Sequence, residues 1–128
     1  MRTAASICLI ALLGVFATGC GSGTDDLYEI SGQVLYGGEP VPGGAVSFEP
    51  DTSQGNSGPG CNAPIEDGTY KSPPDRGVTG GPYNVTIYGT DGVSTEGAPM
   101  GTPIFEPYRT EVDLPEEDTT HDFEIPKQ

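Results

Sequence analysis

Tryptophan is absent from the 128 residues, histidine occurs once, and lysine and arginine together number five against nineteen aspartates and glutamates, for a net charge of −14. So few cations exclude an electrostatic nucleic-acid binder, which needs lysine and arginine against phosphate. One histidine excludes a zinc centre built on histidines, and no Gly-x-Ser-x-Gly elbow is present to make that histidine the base of a serine hydrolase. Helix-forming stretches are also scarce. Twenty glycines and thirteen prolines make up roughly a quarter of the chain, about twice the usual share, which removes long helices and coiled coils. The only long apolar run lies at the N-terminus.

That run follows the positive start Met1-Arg2-Thr3 and extends from Ala4 to Ala17. It spans about fourteen residues, too few to cross a bilayer comfortably, and matches the layout of an export signal. It ends in Ala17-Thr18-Gly19-Cys20, which resembles a bacterial lipobox, with Ala17 where leucine is usual. The expectation is a lipoprotein signal peptide over 1–19, a diacylated Cys20, and a flexible tether over 20–27. Two acyl chains anchor stably where one does not. An ordinary secretory signal or an uncleaved anchor are the alternatives. Arg2 lies before residue 19 and every acidic residue after it, so the remaining chain carries four basic side chains against nineteen acidic ones. The tether Gly21–Asp26 reaches at most about 20 Å when extended. The predicted location is therefore the cell envelope, bound to a bacterial membrane through lipid.

Beyond the tether the pattern changes to short alternating runs, the signature of half-buried strands. Strands are predicted at 28–36, 45–49, 62–66, 69–72, 81–88, 108–114 and 121–125. Asp67-Gly68 between two of these runs is a strong hairpin signal, and Pro64 predicts a sheet edge or strand start for its run. The stretches 50–60, 73–80, 89–103 and 115–118 have no apolar anchor and read as exposed loops. Seven short strands without a covering helix predict an all-β, antiparallel, seven-stranded sandwich over 28–126. Its expected core is Ile30, Val34, Val46, Phe48, Ile65, Tyr70, Tyr83, Val85, Ile87, Val112, Leu114, Phe123 and Ile125.

Three pieces in order resemble the bacterial carboxypeptidase regulatory-like domain, a transthyretin-like sandwich related to Cna-B modules. They are Ser31-Gly32-Gln33-Val34 with Gly38-Glu39-Pro40 through Phe48, then Asp67-Gly68-Thr69-Tyr70, then Gly81-Pro82-Tyr83-Asn84-Val85. The resemblance implies a non-catalytic accessory or adhesion-type fold of the envelope, with no shared catalytic residues to carry over. Fold likeness alone does not assign a task. Crosslinking between a lysine and an asparagine in Cna-B modules raises Lys71 and Asn84 as a pair to inspect.

No nucleophile, base and orienting group fall into one motif. Cys61, the thiol left once Cys8 departs with the leader and Cys20 takes lipid, reads as a small buried hydrophobe, an intermolecular disulfide partner, or a partner of an unlipidated Cys20. Calcium, which takes loop carboxylates and carbonyls, is the one cofactor the composition leaves open. Alternating strands place the loops at 50–61, 73–80 and 115–119 at one end, where Asp51, Asp75, Glu116, Glu117 and Asp118 are its candidate ligands; a plain acidic rim is the alternative. Tyr28, Tyr88 and Tyr108 are the aromatic candidates for a contact surface. The function these observations predict is a lipid-anchored, non-enzymatic module binding an envelope protein or polysaccharide. A self-associating structural module and a small hydrolase with paired carboxylates are the alternatives.

Overall fold

The computed structural model describes residues 26–128. The expected signal peptide over 1–19, the expected lipidation at Cys20, and the expected tether up to residue 25 lie outside the described residues. The described chain is all-β, with no α-helix. Its strands are β1 (Ile30–Tyr36), β2 (Glu39–Pro40), β3 (Gly43–Pro50), β4 (Cys61–Glu66), β5 (Thr69–Lys71), β6 (Gly81–Thr90), β7 (Tyr108–Leu114), β8 (Thr119–Thr120) and β9 (Phe123–Ile125). The main sheet runs β1-β5-β4-β3-β6-β7 with every neighbour antiparallel, and curls into a half-barrel. β1 joins two layers. Its first half pairs through Ser31–Gln33 with β5, while Val34–Tyr36 turns away to pair with β2 and β9.

The seven predicted strands are present, but the sheet is not wholly antiparallel. β8 and β9 run parallel to β1. The cause is topological: β7 ends where β1 begins, so a chain that returns beside β1 must run the same way. Pro64 also differs from expectation, since β4 is an interior strand between β3 and β5. It is tolerated because the β4–β5 ladder covers only Ile65↔Tyr70 and Glu66↔Thr69 and stops one residue short of it. Asp67 and Gly68 both take positive φ, 48° and 80°, the geometry of a two-residue hairpin turn whose twist matches the strands.

Alternation places the core. Inward residues of β3 and β6, namely Val46, Phe48, Tyr83, Val85 and Ile87, are fully buried, as are Ile30, Val34 and Ile125 of the smaller layer. Phe48 lies at the centre, its ring centroid 6.0, 6.5 and 6.3 Å from those of Tyr70, Tyr83 and Phe123. All expected core residues are buried except Val112, which is half-buried at the free side of β7. Val41, Cys61, Ala63, Val78 and Phe105 join the core beyond those expected. Phe105 reaches it by lying on β6 at Gly89, where any Cβ would meet its ring at 2.2 Å.

Candidate functional site

The strand directions give the domain two unlike ends. Residues 26–28 lead into β1 at one end, which is also formed by the connections 51–60, 72–80 and 115–118. The predicted gathering of these loops is therefore present. They enclose an open polar depression of about 490 Å³ lined by Asp26, Tyr28, Asn56, Gly80, Pro82 and Glu116, among others. Asn56 fastens two loops together, its side-chain amide donating to the carbonyls of Pro82 at 2.7 Å and Gly80 at 3.3 Å. A further link is a backbone bridge between Tyr28 and Val78, with N–H···O distances of 2.8 and 3.0 Å in the two directions.

Bringing the loops together does not bring the five candidate carboxylates together. Asp51 is only 5 % exposed and turns into its own loop, where it accepts hydrogen bonds from the Ser53 backbone N–H at 3.0 Å, the Ser53 hydroxyl, and the Gln54 amide at 2.7 Å. The Ser53 hydroxyl and then the Gln54 amide hold its carboxyl below the ordinary carboxylate range. Asp75 and Asp118 line one depression of about 300 Å³ with Tyr28, Glu29 and Arg76, apart from Asp51. Asp118 accepts the Glu29 N–H at 2.7 Å, and Glu117 is exposed. Asp26, Glu116 and Asp118 do share one neighbourhood: burial first, and then these three carboxylates, push the Tyr28 phenol up. Among the described residues, no group of three or more histidine, cysteine or acidic side chains is disposed to hold a metal ion. A cation needs several oxygens converging at about 2.3–2.6 Å, and the hydrogen bonds of this end have already assigned Asp51 and Asp118 to backbone and side-chain donors.

Cys61 starts β4 opposite Phe48 and is 3 % exposed. Burial pushes its thiol up, against a smaller opposing pull from Arg76. It is thus held in the protonated form, which is neither a nucleophile nor a ready disulfide partner. His121 packs its ring 4.7 Å from that of Phe123, and its carbonyl accepts the buried Tyr70 hydroxyl. Lys71 extends to Glu29 at 3.4 Å on the exposed surface. The sheet order places β4 and β3 between Lys71 and Asn84, so these two are not crosslinking neighbours.

The far end carries a different surface. It comprises the β1–β2 turn, the Asp67-Gly68 hairpin, the connection 91–107 and the C-terminal residues, with the Gln128 N–H donating to the Tyr36 hydroxyl at 3.2 Å. Phe105 anchors the end of the 91–107 connection in the core, and the stretch before it, which has no apolar anchor, is fixed by polar bonds. One oxygen of Asp91 accepts the N–H groups of Val93 at 2.9 Å and Thr102 at 3.0 Å, and these two bonds hold its carboxyl below the ordinary range. The Thr90 hydroxyl donates to the Met100 carbonyl at 2.7 Å. On this fixed frame Val93, Met100 and Ile104 stand 57 %, 65 % and 36 % exposed; Tyr88, 48 % exposed near the end of β6, lines the outer sheet face with Asn84, Thr86, Arg109 and Glu111. Of the three tyrosines singled out by sequence, Tyr88 is exposed while Tyr28 and Tyr108 are half-buried.

A loop held rigid by hydrogen bonds while presenting large apolar side chains outward is suited to contact, because little ordering entropy remains to be lost on binding. The far end is in this sense the better candidate site, and the sequence reading missed Val93, Met100 and Ile104. The signal that could have found them is their occurrence as isolated large apolar residues within a stretch otherwise rich in glycine and polar residues. No protein-family model, curated protein or solved structure matches the chain.

Proposed function

We propose that the protein is a lipid-anchored, non-enzymatic module of the bacterial cell envelope, of the carboxypeptidase regulatory-like kind, that presents its far end to a protein or polysaccharide. The observation that carries this reading is the opposition of the two ends. The chain comes from Cys20 into the loop end at Asp26, whereas Val93, Met100 and Ile104 collect at the other. A short tether at the loop end turns that end toward the headgroups and leaves the apolar residues outward. The resemblance adds support, since its three pieces fall on β1 to β3, on the β4–β5 hairpin and on β6. The non-enzymatic part rests on the protonated, buried Cys61 and on the His121 ring being packed against Phe123.

The test uses the full-length chain in bacterial membranes. The N-terminal peptide is expected to carry a diacylglyceryl mass on Cys20, and Cys20→Ala is expected to move the protein to the soluble fraction. Photo-crosslinking side chains at Val93 and Met100 should capture a reproducible envelope component, and the same groups at Asn56 and Glu116 should not. A soluble, unmodified wild-type chain overturns the anchor. Equal capture from both ends overturns the assignment of the contact surface.

A further inference from the structure

β7 is the one strand of the sheet longer than three residues that has a single partner among the described residues. Such an edge is a template for another strand unless it is short, bulged, covered, broken by proline or guarded by charge; β7, Tyr108-Arg-Thr-Glu-Val-Asp-Leu114, pairs along its full seven residues with β6 without interruption, and its charges, Arg109, Glu111 and Asp113, are of both signs, so they select a register rather than bar pairing. The hydrogen-bond phase of its free side can be read across the sheet. The Asp51 N–H donates to the Pro82 carbonyl at 2.9 Å, so the even-numbered residues of β6 bond β3 and the odd-numbered ones bond β7. Their partners on β7 are Tyr108, Thr110, Val112 and Leu114. The backbone N–H and C=O groups of Arg109, Glu111 and Asp113 therefore face outward, unpartnered by any described strand.

We propose that two copies of this chain join by antiparallel pairing of β7 with β7, with Thr110 opposite Thr110 of the second copy on the two-fold axis. Charge selects this register. It sets Arg109 of each copy opposite Glu111 of the other, on the outer face and in bonded pairs, so that both ion pairs form at once. A shift by one pair in one direction sets Arg109 against Arg109; in the other it keeps two ion pairs, Arg109 with Asp113, but sets Glu111 against Glu111 on the axis between them, and like charges directly opposite are unfavourable. The inner face agrees with the same register. Tyr108 meets Val112 of the second copy, twice, and these are the two apolar residues of β7 left half-buried against the core. The interface is isologous and closes on itself, so it makes a dimer rather than a fibre. The net charge of −14 per chain opposes association over long distances, and salt at physiological strength confines that repulsion to about 8 Å.

The experiment is disulfide trapping in the full-length chain in its membrane, under mild oxidation, with the parent chain alongside as the blank. Thr110→Cys places two thiols across a non-bonded pair, where Cβ atoms lie about 4.5–5.5 Å apart, near the range a disulfide requires. It is expected to give a reducible dimer in high yield, with little from the parent chain, whose Cys61 is buried. Adding Arg109→Glu should lower the yield about tenfold, and adding Glu111→Arg to that variant should restore it, which a merely structural effect of the charges would not do. Dimer from Arg109→Cys or Glu111→Cys alone in excess of that from Thr110→Cys overturns the register. A Thr110→Cys chain that melts like the parent and stays monomeric, or a parent that dimerises equally, overturns the proposal.

Discussion

β6 and β7 lie side by side with the same alternation of inward and outward residues, yet they differ in depth. Tyr83, Val85 and Ile87 of β6 are at most 1 % exposed, whereas Tyr108, Thr110 and Val112, which pair with neighbours on the same face, are half-buried. Only the flanks differ. β6 has β3 on one side and β7 on the other, and β7 has β6 alone among the described residues. Alternation therefore specifies which face of a strand turns inward, and position in the sheet order decides how much water is excluded there. The two ends of the molecule extend the comparison. Away from the centre, single buried side chains such as Val78 and Phe105 are supplemented by hydrogen bonds of Asp51, Asn56 and Asp91.

The comparison breaks first if the centre is not the main source of stability. Phe48→Ala removes the ring that touches three other aromatic residues and should cost about 3–5 kcal/mol. That is a large part of the roughly 5–15 kcal/mol available to a domain, so the variant should melt early or fail to fold in denaturant titration. A loss under about 1 kcal/mol would mean that the surrounding rings collapse into the space, since residual cavity sets most of the cost.

Val112→Ala sharpens the same contrast at the edge. It removes less buried area from a half-exposed site and should cost about 1 kcal/mol. The measurement is the same titration at low protein concentration, where a dimer is dissociated. A loss as large as that from Phe48→Ala under these conditions would show that Val112 is a core residue of the single chain, and a loss that grows with protein concentration would attribute cover of β7 to a second copy.

How much of this was legible follows from what each signal encodes. Period-two alternation picked out seven of the nine strands, missing the two-residue β2 and β8, and every expected core residue but Val112 is buried, because side-chain direction in a strand is local; Cys61 and Ala63 of β4 follow the same alternation and were passed over as small. The Asp67-Gly68 turn was legible for the same reason: its positive φ angles are a property of two residues. Val41 and Val78 were not legible. They lie in a turn between prolines and in a loop, and are buried because Val41 bonds the Val34 carbonyl and Val78 bridges Tyr28, contacts that only the assembled sheet creates. The parallel return of β8 and β9 beside β1 is likewise a consequence of topology, which no local pattern records. At the loop end, the sequence correctly placed three loops together but not where their carboxylates point. Asp51 satisfies its own turn, a choice fixed by Ser53 and Gln54 two and three residues away, and that short spacing was the available clue.

Asp51 and Asp91 give the smallest expected effect and the closest test of the peripheral half of the comparison, since they hold loops at opposite ends. Both carboxyls are held below the ordinary range, Asp51 chiefly by the Ser53 hydroxyl and Asp91 chiefly by the Val93 N–H. A group depressed in the folded state contributes stability that is complete above its unfolded value of about 3.9 and is lost as pH falls through the lower folded value. Acid should therefore loosen these loops only below the usual carboxylate range, while the bonds of β3 and β6 persist. Amide resonances of Ser53, Val93 and Thr102 followed against pH provide the measurement, with Val46 and Val85 as the internal reference. Asp91→Asn should abolish the acid transition at Val93 and Thr102 and leave that at Ser53 in place, because no described bond connects the two loops. Transitions at or above the ordinary carboxylate value would show that these oxygens are not what holds the loops. A single transition shared with Val46 and Val85 would show that centre and periphery unfold as one unit, and the distinction between them would then be one of burial without independent stability.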